Sequence, residues 1–248
     1  MIQLDNNWPS DIHVLIPSYK SASLLNRFIP ALLKRVPAEN ICIVDDASYD
    51  GTYDVCESFN IKYLAHNLNR GKGAALSTGF KYLIENGASW IITMDADGQH
   101  SPDDISCFIN EIRKNPCIGI CIGARNMKAG IMPLDRICSN RLTSWIMSIL
   151  SGVRIIDSQC GYRIYSSELL KRIQIEYNRF EMESEVILKS VWEGYAVCFT
   201  NVQTLYLDGK SHISHFKDTF RWVVAVLKIW TDLRKKTSLN SHGKRHEY

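Results

Sequence analysis

No stretch of this chain approaches the roughly 18 consecutive apolar residues that a bilayer-crossing helix needs, so nothing in it reads as a transmembrane span. Its first eleven residues, MIQLDNNWPSD, lack the basic start and apolar core of a secretory leader, and none is expected. None of the eight cysteines (42, 56, 107, 117, 121, 138, 160 and 198) pairs as C-x-x-C, and Cys117 and Cys121 have no histidine close by. That excludes the usual zinc and redox spacings, and most of the cysteines lie inside apolar segments, so buried, reduced thiols in a cytosolic protein are expected. Internal repeats and low-complexity segments are also missing, which excludes a solenoid. The G-x-x-x-x-G-K-[ST] phosphate loop is absent as well.

What is present is an ordinary folding composition, 46% hydrophobic and 22% charged, in 248 residues, enough for one substantial core. The net charge of +3 is unevenly placed. Residues 211–248 hold eight Lys/Arg against three Asp/Glu, a local +5 that leaves −2 for the rest. A basic C-terminal end on a near-neutral body points to an anionic contact there. Nothing points to nucleic acid.

The first half alternates apolar runs and amphipathic segments. IHVLIPSY, NICIVDD, IKYLAH, WIITMDAD and IGICIGAR read as strands. SASLLNRFIPALLKRV (kinked at Pro30), TYDVCESF, KGAALSTGFKYLIENG and SPDDISCFINEIRKN read as helices, the last capped by Ser101 with Pro102 at its first position. This βαβα order predicts an α/β fold with a mostly parallel sheet flanked by helices, whose ligands bind beyond the carboxyl ends of the strands. The second half gives a helix over RICSNRLTSWIMSILSG, a loop, strand and helix over DSQCGYRIYSSELLKRI, a helix over FEMESEVILKSVWEGY and a strand over AVCFTNVQTLY.

The predicted strand ends are polar: Pro17-Ser18-Tyr19, Asp45-Asp46 and Asp95-Ala96-Asp97. In an extended strand Asp95 and Asp97 would share a face, and two carboxylates so close call for a cation. Mg²⁺ or Mn²⁺, held by few carboxylates and by substrate phosphates, suits such a half-filled site; a turn of solvated aspartates is the plainer alternative. Asp45 and Asp46 suit hydrogen bonds from a base or ribose, or equally an acidic helix start. NRGKGAALSTGF is either a phosphate loop or a glycine-rich turn.

Taken in order, IPSYK, IVDDASYDGT, NRGKGAALSTGF, MDADGQH, GAR and DSQCGYRIY resemble the family 2 inverting glycosyltransferases of the GT-A (Rossmann-like, nucleotide-diphospho-sugar transferase) fold. The likeness is nearest to their polyprenyl-phosphate, dolichyl-phosphate mannose synthase-like branch, over about residues 12–215. The resemblance implies a nucleotide-sugar donor (UDP- or GDP-linked) bound by Pro17, Tyr19, Val44, Asp45, Asp46, Lys72, Asp95 and Ala96. It implies a metal on Asp97 and Gln99, and Arg125 gripping phosphate from a mobile loop. Gly161 and Arg163 match the family's Gly-Phe-Arg turn, and Lys210, Ser211 and His212 match a motif closing over the diphosphate. Ser139 and Asn140 stand where the branch has a Ser-Arg pair for the acceptor phosphate, so Arg136 or Arg141 would have to supply that charge.

A sugar hydroxyl needs a general base before it can attack, and Glu181, Glu183 or Glu185 of FEMESEVI would be available; a lipid phosphate needs none. These glutamates also suit an acidic first helical turn. In the C-terminal SHFKDTFRWVVAVLKIWTDLRKK, Phe216, Phe220, Val223, Leu227 and Trp230 fall on one helical stripe. That stripe suits either a membrane interface or packing on the domain.

The expected layout is a catalytic domain over 1–213, an amphipathic helix over 214–236 and a flexible basic tail over 237–248. The protein is expected to act at the cytoplasmic membrane face on a polyprenyl phosphate. Two rival readings are a family 2 transferase acting on a glycan hydroxyl and a nucleotide-sugar binding module without turnover. A sugar nucleotidyltransferase should carry an N-terminal G-x-G-x-R loop, which IPSYK does not offer.

Overall fold

The computed structural model describes residues 8–115, 117–127, 132–203 and 215–243. Seven strands form one sheet: β1 (Ile12–Ser18), β2 (Ile41–Asp45), β3 (Lys62–Ala65), β4 (Trp90–Thr93), β5 (Ile118–Arg125), β6 (Arg163–Ser166) and β7 (Ala196–Val202). Their order is β3-β2-β1-β4-β6-β5-β7, with β6 antiparallel to both neighbours and every other pair parallel. The central strands are mostly apolar because helices cover both faces of the sheet. β2 and β6 are buried end to end, whereas the edge strands β3 and β7 are only partly covered.

The helices are α1 (Ala22–Leu32), α2 (Thr52–Ser58), α3 (Lys72–Glu85), α4 (Ile105–Lys114), α5 (Leu134–Ser151), α6 (Ser167–Arg172), α7 (Glu181–Trp192) and α8 (His215–Gly243). Pro30 lies inside α1 as expected. Ser101 accepts from the Asp103 N–H, with Pro102 directly after it, but the turn it caps is a short 3-10 turn that leads into α4.

Three expectations change. β4 stops at Thr93, so Asp95 and Asp97 sit on the turn that follows rather than in the strand, and strand alternation is not what brings them together. α8 runs to Gly243, through the first part of the segment expected as a tail. Its buried stripe is Ala225, Val226, Ile229 and Leu233, with Trp222 half-buried, not the stripe through Val223, Leu227 and Trp230. That buried stripe packs on α7, where Trp222 Nε1 donates to Ser184 Oγ (2.8 Å) and Arg221 pairs with Glu181. None of the described helices is long and apolar enough to cross a membrane. All eight cysteines are free; Cys42, Cys56, Cys121 and Cys160 are buried, while Cys117 and Cys138 are exposed.

Candidate active site

The parallel register of β2, β1 and β4 brings their carboxyl ends together, with Ser18 beside Asp45 and Leu15 beside Thr93. The antiparallel β6 sets Arg163 beside Thr93, so the segment leading into β6 reaches this same edge. Residues 157–162 thereby meet the turn that carries Asp95 and Asp97.

Lys72, at the first turn of α3, is the hub. Its Nζ lies 2.6 Å from Asp95 Oδ1 and 3.1 Å from Glu183 Oε1. Burial works against both charges, but the pairing wins: Asp95 is held down at about 2, and Lys72 is held above the ordinary lysine range. Gly161 roofs the pair. A Cβ there would come within 2.6 Å of Asp95 Oδ2 and 2.8 Å of Lys72 Nζ, so any side chain would displace the end of one or both. α3 itself starts at Gly71, whose φ of +100° and close approach to the Asn178 carbonyl exclude a side chain.

Asp97 is placed differently. Its carboxylate accepts the Gln99 N–H at 3.0 Å, and no salt bridge forms on it among the described residues. Burial, and next the charge of Asp95, raise its pKa. A half-buried carboxylate held above its ordinary value beside a second one is a site that a divalent cation would relieve, and Gln99, two residues on, would add a neutral oxygen. The donor set fits Mg²⁺ or Mn²⁺. No cluster of three or more His, Cys, Asp or Glu among the described residues could hold a metal without help, so substrate oxygens would complete its shell.

Arg125 lies at the end of β5 and not on a loop. Asp157, fully buried, grips it at 2.8 and 3.0 Å and also accepts from its backbone N–H. Burial opposes this charge too, yet the pair holds Arg125 above and Asp157 below their ordinary ranges. Two of the five guanidinium N–H groups face Asp157; the rest make no hydrogen bond among the described residues, and the charge is felt at Asp95.

Several expected site residues serve structure instead. Arg163 is wholly buried and donates to the carbonyls of Cys160, Ser158 and Glu183 (2.6–2.9 Å), so it shapes the 158–163 turn and cannot reach a substrate. Glu185 is wholly buried, accepts from the N–H groups of Glu176 and Tyr177 and pairs with Lys189 at 2.7 Å; it is not available as a base. Glu181 faces Arg221 of α8. Asn140 is buried, donating to Asp157 at 2.7 Å and accepting from Ser144, so it braces the Arg125 clamp rather than meeting an acceptor.

Asp45 accepts from Ser48 and from Tyr63 Oη (3.1 Å), and Asp46 accepts the Arg70 and Gly71 N–H groups (2.9 and 2.7 Å) with His66 at 2.7 Å. Both carboxylates thus tie the segments after β2 and β3 to the strand ends. Pro17 pairs with Val44 in the β1–β2 register, Tyr19 is exposed at the rim, and Ala96 is buried in the acidic turn. Ser139 accepts from Gln159, while Arg136 and Arg141 lie on the outer part of α5 with no ion pair among the described residues. Lys210, Ser211 and His212 fall outside the described residues.

The sequence reading missed Asp157 and His100. His100 is buried, stacks on Tyr162 (centroids 4.8 Å apart) and accepts the Asp95 N–H at 3.0 Å. Burial outweighs the pull of Asp95 and holds His100 down at about 4, so it stays a neutral acceptor. Both residues stand in motifs already singled out, His100 closing MDADGQH and Asp157 opening DSQCGYRIY.

Sheet order and site together define an α/β protein of the GT-A kind. The chain belongs to glycosyl transferase family 2, whose family model matches residues 13–173. It is similar to UDP-N-acetylglucosamine–dolichyl-phosphate N-acetylglucosaminyltransferase of Methanococcus voltae, 32% identical over 79% of this chain and 86% of that one. A second relative is undecaprenyl-phosphate mannosyltransferase of Micrococcus luteus, 30% identical over 65% and 69%. Among solved structures, glucosyl-3-phosphoglycerate synthase from Mycobacterium tuberculosis, with Mn²⁺, UDP-glucose and phosphoglyceric acid bound, shares the fold. Its TM-score is 0.72 at 13% identity, covering 89% of this chain and 79% of that one. The chain is a glycosyltransferase.

Proposed function

We propose that this enzyme moves a sugar from a UDP- or GDP-linked donor to the phosphate of a polyprenyl phosphate at the cytoplasmic face of the cell membrane, with inversion at the anomeric carbon. Relatives named for dolichyl- and undecaprenyl-phosphate support the acceptor class, and the Mn²⁺ and UDP-glucose of the solved relative support a metal-bound nucleotide sugar.

One observation carries the acceptor reading: Glu183, the glutamate of α7 that reaches the site, is ion-paired with Lys72. Its Oε1 is taken up by the Lys72 ammonium rather than turned to an acceptor, whereas a hydroxyl acceptor would need a base in reach. A phosphate monoester does not, since its second pKa is about 6 and its oxygen is already anionic at neutral pH. In the reaction that oxygen bonds to the anomeric carbon as the bond from that carbon to the diphosphate oxygen breaks, and the nucleoside diphosphate leaves. Mg²⁺ or Mn²⁺ at Asp97 and Gln99 would supply charge stabilisation to the departing diphosphate. Lys72 and Arg125 add fixed positive charge at the same edge, already oriented by Asp95, Glu183 and Asp157. Arg136 and Arg141, with no ion pair among the described residues, offer cations for the acceptor phosphate.

The test is Glu183→Gln assayed on a short-chain polyprenyl phosphate. The expected loss is less than about tenfold, whereas removing a true base costs about 10²–10⁴-fold. A loss in that larger range, with folding and donor binding unchanged, contradicts the reading.

A further inference from the structure

α5 has two opposed faces. The inner face buries Ile137, Asn140, Ser144 and Met147, and through Asn140 it braces the Asp157–Arg125 clamp. The outer face carries Cys138, Leu142, Trp145 and Ile149 at steps of four, three and four, one straight stripe about 16 Å long. Leu142, Trp145 and Ile149 are 51%, 62% and 60% exposed. Half-buried Leu150 continues this face into a cavity of about 360 Å³ that Trp192 of α7 and Trp230 of α8 also line. α8 in turn exposes Val224 and Leu227 beside Lys228.

Isolated exposed apolar residues need no explanation, but an aligned run ending in a tryptophan-lined groove marks a contact surface. Charge points to the partner. Arg141 lies on α5 itself and Arg154 just past its end; both are exposed and neither meets a carboxylate among the described residues. Apolar and indole side chains flanked by unpaired cations match a lipid interface, where indoles sit at headgroup level and cations meet anionic lipid. We infer that the outer face of α5, with the exposed side of α8, docks on an anionic bilayer surface. This extends the polyprenyl-phosphate reading, since it would hold α5, and the Arg125 clamp it braces through Asn140, near the level of a lipid-linked phosphate. It also makes α5 the main membrane contact, with exposed Leu227 of the expected α8 stripe beside it.

The experiment is flotation of the full chain with phosphatidylcholine vesicles, with and without phosphatidylglycerol, at low and high salt. It is repeated with the double variant Trp145→Ala/Ile149→Ala, whose exposed sites should leave folding intact. Transfer to a water-soluble short-chain acceptor is measured separately without vesicles. The wild type should float with the anionic vesicles at low salt and be released by salt, and the double variant should lose at least about tenfold in partitioning. Its vesicle-free activity should be unchanged, because neither residue belongs to the site. A wild type that stays with the soluble fraction overturns the inference, as does a double variant that floats equally well. So does a wild type that self-associates through this face, shown by a dimer that the double variant abolishes, without binding vesicles. Flotation without any transfer activity would count against the acceptor reading alone.

Discussion

Lys72 sets the electrostatics of the site, because its one ammonium group pairs with the carboxylates of both Asp95 and Glu183. The arrangement depends on the missing side chain at residue 161. Gly161→Ala forces a methyl group to within 2.6 Å of Asp95 Oδ2 and 2.8 Å of Lys72 Nζ, so the paired side chains must shift from their present geometry. The expected cost is about 1–3 kcal/mol in stability, as for an overpacked core, together with a loss of transfer well beyond what that destabilisation explains. Chemical denaturation alongside turnover would check both. At the clamp, pairing holds Asp157 below its ordinary value of 3.8. A depressed carboxylate contributes its full stability above that ordinary value and loses it as pH falls through the lower folded value. Asp157→Asn should therefore cost about 3 kcal/mol near neutrality, since it strips a mostly buried arginine of its partner. The deficit should shrink in acid, which urea midpoints at neutral pH and below pH 4 would show. Neither Asp157 nor His100 stood out in the sequence, because nothing local marks a carboxylate that pairs 32 residues away or an imidazole whose role is to accept a backbone N–H. Asp97 stood out because acids so closely spaced after an apolar run need a reason.

The elements most legible in advance were the central strands, where burial on both faces leaves long apolar runs such as those of β1 and β5. Their ends were harder to place. WIITMDAD continues apolar to Met94, which is buried although the strand has already stopped. The antiparallel direction of β6 left no local mark either, yet it is what carries Asp157 and Gly161 to the acidic turn. α8 shows a different limit. Two apolar stripes run along it, and periodicity cannot say which one meets a partner. Packing chose the one through Val226, Ile229 and Leu233. Ile229→Ala should therefore cost about 2–5 kcal/mol by leaving a cavity against α7, whereas Leu227→Ala, at an exposed position, should be nearly neutral. Thermal unfolding of the two variants side by side would show the asymmetry; equal effects would mean that α8 is not docked as described.

At the scale of the whole molecule, the open sheet brings distant pieces of chain to one edge: Lys72 from α3, Asp95 and Asp97 after β4, Arg125 from β5, Gly161 before β6 and Glu183 from α7. Two cations and three carboxylates gather there, with one of the acids, Asp97, free of any ion pair among the described residues and suited to a divalent ion. The central claim is transfer to a phosphate with metal assistance. The measurement that tests it most directly is mass-spectrometric analysis of the products formed by the full chain with Mn²⁺, UDP- and GDP-sugars, and a short-chain polyprenyl phosphate. The account predicts one glycosylated prenyl phosphate, of inverted anomeric configuration, for each nucleoside diphosphate released. Asp97→Asn should reduce it on the order of a thousandfold while the fold is kept. Transfer that persists undiminished in EDTA, or that proceeds equally well to the dephosphorylated polyprenol, would contradict it.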